Sequence, residues 1–110
     1  MFGNLGDMMK LIKDLQENME KAKEELKKEV IPVEVGGGMV KVEVNGLGEV
    51  LNIEIDDSLL SPDNKEVLAD LLVSAMNEAN KRSKEIMTEK MSSVAGLPTN
   101  FPGLNLNNLL

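Results

Sequence analysis

Between Ile31 and Ile55 the chain alternates apolar and polar residues through three short runs, and this alternation constrains the fold more than any other feature. One parity holds Ile31, Val33, Val35, then Val40, Val42, Val44, then Leu51, Ile53, Ile55; the other holds Pro32, Glu34, Lys41, Glu43, Asn52 and Glu54. Period-two alternation rich in β-branched residues describes strands with one buried and one solvated face. The breaks, Gly36-Gly37-Gly38 and Asn45-Gly46-Leu47-Gly48, are short loops whose glycines supply the positive φ angles that hairpins need. The spacing predicts strands over 31–35, 39–44 and 50–55 in an antiparallel meander. Pro32 has no N–H to give to a ladder, which assigns the first strand to an edge.

Three strands with small apolar side chains on one face are not stable alone in water, so other elements must cover them. The chain offers a helix on either side, which makes it an α+β protein of α-β-β-β-α order. The 110 residues suit one domain over 1–94, with a mostly irregular tail over 95–110 that carries two prolines, two glycines and four asparagines. The first helix is expected over 4–29. Leu5, Met8, Ile12, Leu15, Met19, Ala22 and Leu26 recur at steps of three and four, a heptad seam. Asn4 is placed to cap it, and Asp7 sits in its first turn. Lys13–Glu17, Glu17–Lys21 and Glu24–Lys28 are spaced for ion pairs along the helix. So narrow a seam points to a helix–helix contact in preference to a broad face lying on the sheet.

The second helix is expected over 62–94. Ser61 is its cap, Pro62 its first residue and Asp63 its first-turn acid. Asp56, Asp57 and Asp63 have no cation-loop spacing and read as caps and turn residues, not as a metal site. Leu68, Leu71, Leu72, Ala75, Ala79, Ser83, Ile86 and Met87 form one face of this helix. At 100° per residue, Ser74, Asn77, Lys81, Lys84 and Thr88 form the opposite one. That stripe holds no acid, although the chain as a whole carries a net charge of −7. Residues 31–80 set two lysines against ten acids, whereas residues 81–110 set four cations against two acids.

Composition excludes several functions. With no His and no Cys there is no imidazole base or ligand, no thiolate and no disulfide, so neither an enzyme nor a cofactor or small-molecule site is expected. The start lacks a basic segment followed by an apolar core, and no apolar run approaches a membrane span, so a cytoplasmic protein without a membrane partner is expected. Two Phe, no Trp, no Tyr and eight Met make a thin, soft core, which suggests an oligomer that completes its core with a second subunit.

An ordered set of segments carries a resemblance. It comprises Met1-Phe2-Gly3; Gly37-Gly38-Met39-Val40-Lys41-Val42-Glu43-Val44-Asn45-Gly46; Ile53-Glu54-Ile55-Asp56 with Ser58-Leu59-Leu60; Leu68 through Arg82; and Glu89-Lys90-Met91. Together these resemble the YbaB/EbfC family of bacterial nucleoid-associated proteins over nearly all of residues 1–100. The resemblance implies a homodimer with projecting helices in a tweezer-like shape that binds double-stranded DNA at the nucleoid and has no catalytic centre. The family's usual Ala-Phe-Asn-Asp-Ala is here Ala75-Met76-Asn77-Glu78-Ala79. Its basic helix pair maps onto Lys10, with Lys13 beside it, and onto Lys81-Arg82.

Lys10, Lys13, Lys81, Arg82 and Lys84 are therefore the candidate phosphate contacts, with Ser74, Asn77 and Thr88 as hydrogen-bond donors. No zinc finger, helix-turn-helix or aromatic platform is evident, so sequence preference should be weak and read from DNA shape. The competing reading is a prefoldin-like coiled-coil holdase or adaptor, which would need exposed apolar residues at the helix tips; Met8, Met9, Met87 and Met91 are its candidates.

Overall fold

The computed structural model describes residues 5–95. Helix α1 spans Leu5–Lys28, strands β1, β2 and β3 span Ile31–Val35, Val40–Val44 and Val50–Ile55, and helix α2 spans Lys65–Ala95. The sheet order is β1-β2-β3, antiparallel throughout, so the meander has β2 at its centre and the Pro32 strand at an edge. Two 3-10 turns, Asp57–Leu60 and Pro62–Asn64, lead into α2. Ser61 does act as a cap, its hydroxyl accepting from the Asp63 amide at 3.3 Å, but the turn it caps is 3-10 and the α-helix starts three residues later than expected. Asn4 and residues 96–110 of the expected tail lie outside the described residues.

Helix α2 lies across β1 and β2. Ala75 and Ala79 are fully buried against Ile31, Val33, Val40, Val42 and Val44, and Leu59 from the first 3-10 turn closes the cluster. The small side chains of α2 let its backbone approach the sheet, while half-buried Leu68, Leu71, Leu72 and Ile86 fill the flanks. Coverage stops at β2. Ile53 pairs with fully buried Val42 in the ladder, yet it stays 44% exposed, as do Val50 and Leu51 to similar extents. The ladder slips at Glu43/Val44, so that Val50 opposes Val44. An apolar strip of β3 is thus left open by the chain's own helices.

Helix α1 packs on α2 and not on the sheet, as the narrow seam implies. The two run antiparallel. Leu26 and Lys27 lie at the level of Ser83, Glu25 pairs with Lys90, and Asn18 and Ala22 share a groove with Ser93 and Val94. Only Ala22 and Leu26 of the seam are buried; exposure then rises from 39% at Met19 to 70% at Leu5. The molecule measures 70 × 28 × 16 Å, with the N-terminal half of α1 as an arm beyond the end of α2. Lys23 and Glu20, 3.8 Å apart, form an ion pair within α1; Lys13–Glu17, Glu17–Lys21 and Glu24–Lys28 do not close.

The β2–β3 loop joins α1, the sheet and α2. Asn45 is buried, and its side chain donates to the Lys27 carbonyl (3.2 Å) and the Glu49 carboxylate (2.8 Å). Its Oδ1 accepts from the amides of Leu47 and Glu49, both at 3.0 Å. The Ser83 hydroxyl donates to the Asn45 carbonyl at 3.1 Å, and the Gly46 amide donates to the Leu26 carbonyl at 2.8 Å. A Cβ on Gly46 would stand 2.6 Å from Leu26 Cδ2 and 2.9 Å from its carbonyl oxygen, so this position must be glycine for space. In the β1–β2 loop the reason is conformational: Gly36, Gly37 and Gly38 all have positive φ.

Candidate nucleic-acid interface

The stripe on α2 faces solvent. Ser74, Asn77, Lys81 and Lys84 are exposed on the side away from the sheet, and Thr88, half-buried, continues the line. Its acid-free run has a boundary, because Asp70 lies in register with Asn77 one helical repeat earlier. The stripe therefore begins at Ser74 and runs toward the arm.

Arg82 stands apart from it. Its Nε is 3.1 Å from Glu78 Oε1, and Nη1 donates to the Pro32 carbonyl at 3.1 Å. The guanidinium thus ties α2 to the edge strand, and its charge is already partnered. Neighbours in a helix point about 100° apart, so Arg82, which the resemblance pairs with Lys81, projects toward the edge strand. The partner carbonyl lies 50 residues away in the chain and leaves no local signal.

Lys10 and Lys13 are exposed on the arm of α1 and border a groove with Met9, Ile12 and Gln16. By helical spacing Lys10 points opposite to the apolar seam. Among the described residues, no carboxylate lies within ion-pair distance of Lys10, Lys13, Lys81 or Lys84. Lys23, Lys41, Arg82 and Lys90 are paired, whereas Lys21, Lys27, Lys28 and Lys65 likewise make no ion pair among the described residues. The two unpaired pairs of lysines are not adjacent. Given the antiparallel register of the helices, roughly 25 Å of helix axis separates them at 1.5 Å per residue.

The perturbed titrations lie elsewhere, at a contact between the two helices and at a turn. A hydrogen bond from Lys90, reinforced by its charge, holds the Glu25 carboxyl below its ordinary value of 4.5, and the same contact raises Lys90 above 10.5. Asp56 is lowered by hydrogen bonds from Ser58, consistent with a capping residue. Among the described residues no cluster of three or more acids has the geometry to hold a metal ion, and no helix is long and apolar enough to cross a membrane.

The sequence of this α-β-β-β-α subunit matches the model of the YbaB/EbfC DNA-binding family over residues 1–97. The chain belongs to the YbaB/EbfC family. A nucleoid-associated protein of Persephonella marina is 67% identical over 89 residues, 81% of each chain. Another, from a Sulfurihydrogenibium species, is 58% identical over 100 residues, 91% of each chain. The crystal structure of an uncharacterized protein from Helicobacter pylori superposes with a TM-score of 0.79 at 30% identity, covering 86% of this chain and all of the other. The YbaB/EbfC match takes in the arm, the sheet and the stripe, so every candidate contact named above lies within the family's own domain. The family is described by DNA binding and not by an enzymatic activity.

Proposed function

We propose that this protein binds double-stranded DNA at the nucleoid, as a homodimer, mainly through phosphates and with weak sequence preference. The observation that carries the reading is the placement of four lysines, Lys10 and Lys13 on the arm and Lys81 and Lys84 on the acid-free stripe of α2, among the eight (with Lys21, Lys27, Lys28 and Lys65) that make no ion pair among the described residues. Each lysine that neutralises a phosphate releases condensed counterions, which makes binding favourable and salt-dependent. Ser74, Asn77 and Thr88 line the same path and suit phosphate or sugar oxygens. The acids of residues 31–80 repel DNA from the sheet end and confine it to the helices.

The open strip of β3 supports pairing of two copies. Ile53, opposite Val42, and Val50, brought opposite Val44 by the ladder slip, continue the core face into solvent beside exposed Leu51, and a second subunit seated there would complete the core. Pairing at β3 leaves the α1 arms free to project, which gives a tweezer-like outline and doubles each cluster of lysines. Sedimentation at micromolar concentration should return the mass of two chains, and Ile53→Asp should return that of one. A parent of monomer mass overturns the dimer.

For DNA binding, the decisive variant is Lys81→Glu with Lys84→Glu, retaining Arg82 because it braces β1. Duplex binding should be lost while helix content is unchanged. Parent-like binding would reduce the stripe to a solvated face. The holdase reading, which the exposed Leu5, Met8, Met9 and Ile12 of the arm favour, would then lead, tested by suppression of client aggregation.

A further inference from the structure

The β2–β3 loop contains Asn45-Gly46, and no other asparagine in the chain precedes a glycine. In such a pair the glycine nitrogen can attack the side-chain carbonyl carbon of the asparagine, because no Cβ on the following residue hinders the approach. The new N–C bond displaces the side-chain nitrogen as ammonia and closes a cyclic imide. Water then opens the imide at either carbonyl, giving aspartate or, with the main chain rerouted through the side chain, isoaspartate.

The fold both prepares this reaction and blocks it. The amides of Leu47 and Glu49 donate to Asn45 Oδ1 at 3.0 Å each and draw electrons from the carbon to be attacked. The nucleophile, however, is taken: the Gly46 N–H, which must lose its proton, donates to the Leu26 carbonyl at 2.8 Å. The leaving nitrogen is held as well, Nδ2 donating to the Lys27 carbonyl and to the Glu49 carboxylate. Asn45 is buried, which keeps out the water that completes the reaction. Leu26 and Lys27 both belong to the packed end of α1, so that end is the lock. We propose that Asn45 is a self-modification site, deamidated by Gly46 only when the packed end of α1 lifts from the β2–β3 loop, and that the product cannot take the helix back.

Either product spoils the contact. Aspartate at this position has no hydrogen to give to the Lys27 carbonyl, and it sets a carboxylate against that of Glu49, where the amide now stands 2.8 Å away. Isoaspartate adds a methylene to the main chain beside Gly46, where even a Cβ would stand 2.6 Å from Leu26 Cδ2. The cluster between the sheet and α2 includes no residue of α1, so that core keeps its packing when α1 is released. A local opening that is reversible elsewhere thus becomes permanent here. Release also frees the arm, and Lys10 and Lys13 lose their fixed spacing from Lys81 and Lys84.

The test follows the full chain at mildly alkaline pH by mass spectrometry of its peptides and an enzymatic isoaspartate assay. In urea that unfolds the protein, Asn45 should deamidate several-fold faster than any other asparagine. In native buffer it should react at least about tenfold more slowly than in that urea, because only the opened fraction is reactive. Between these limits its rate should rise in step with hydrogen exchange of the amides from Ala22 to Lys28 and ahead of exchange in β2. Equal rates in native buffer and urea overturn the proposal, as does a rise that waits for β2 to open. Hydrogen exchange on Asn45→Asp reads the consequence: Ala22 to Lys28 should lose protection while β2 keeps it. Parent-like protection of α1 in that variant, or loss of protection throughout it, overturns the selective release. No DNA enters these measurements, so their failure is distinct from failure of the DNA-binding reading.

Discussion

The two halves of α1 carry the same seven-residue pattern and meet opposite fates. From Ala22 to Lys28 the helix is clamped: Leu26 is fully buried, its carbonyl receives Gly46, and Lys90 reaches Glu25. From Leu5 to Met19 the same spacing of Leu, Met and Ile is exposed, and the unpaired Lys10, on the opposite side of the helix, and Lys13 belong to the same stretch. Periodicity specifies which face of a helix can be buried, but the length of the partner helix decides how much of it is. The packed base supplies folding free energy, and the arm is left to present charge at a distance from the acidic sheet.

The largest effect is expected from unfolding the base. Val42→Asp puts a carboxylate at a fully buried position on the central strand, surrounded by Val33, Ile53 and the α2 alanines. An unpaired buried charge costs at least several kcal/mol, comparable with the roughly 5–15 kcal/mol stability of a domain. Circular dichroism should show the whole chain losing structure, including α1, because most of a helix's stability in a protein comes from tertiary packing of its apolar face. Ile12→Asp on the arm should instead keep the melting temperature within a few degrees, the usual range for surface changes. Equal effects from the two substitutions would erase the distinction between base and arm.

Gly46→Ala tests the junction between base and arm. The added methyl meets the side chain and backbone of Leu26, and the loop must shift against three elements at once. The expected loss is about 1–3 kcal/mol, the range for overpacking, measured by denaturant unfolding. A variant as stable as the parent would mean the loop relaxes freely and does not fix where α1 leaves the base.

These contrasts also mark what the sequence made legible. The three strands, their order and the buried parity follow from β-branched alternation, and Val42 is buried as that parity requires. Alternation does not say whether the covering element belongs to the same chain, so the exposure of Ile53 became visible only with α2 placed over β1 and β2. The seam predicted a helix–helix contact, whereas its limit at Met19 depends on where α2 stops. Asn45 reads as a hairpin residue; its roles at Lys27 and Ser83 span 18 and 38 residues and leave no local pattern. The same holds for Arg82, whose bond to the Pro32 carbonyl spans 50 residues. The unpaired state of Lys10, Lys13, Lys81 and Lys84 likewise depends on which acids the fold brings near.

A gentler probe compares single lysines in the two regions without touching the fold. Lys84→Ala on α2 and Lys10→Ala on the arm should each weaken binding about equally on unrelated duplexes. Each should lower the magnitude of the log–log salt slope by about one unit per lost phosphate contact, or about two if both subunits engage. Lys65→Ala, at the acidic start of α2, is the control and should leave the slope unchanged. An effect confined to Lys84 would place the DNA on the base side alone and leave the arm without a role in binding.

The smallest expected effect concerns the Glu25–Lys90 contact, the last tie before the arm begins. Lys90 lowers the Glu25 pKa in the folded state, so the carboxylate's contribution is present above its unfolded value and is lost as pH falls through the folded one, below 4.5. Glu25 raises Lys90, whose contribution is present below 10.5 and is lost as pH rises through the higher folded value. The melting-temperature difference between the parent and Glu25→Gln should therefore be largest between these limits and shrink outside them. It should also shrink with added salt, because both groups are open to solvent and the attraction is screened. The direction is a modest loss in the variant, since exposed pairs contribute little. A difference that ignores both pH and salt would mean that Glu25 acts by packing on α2, and the boundary between base and arm would then be set by shape and not by charge.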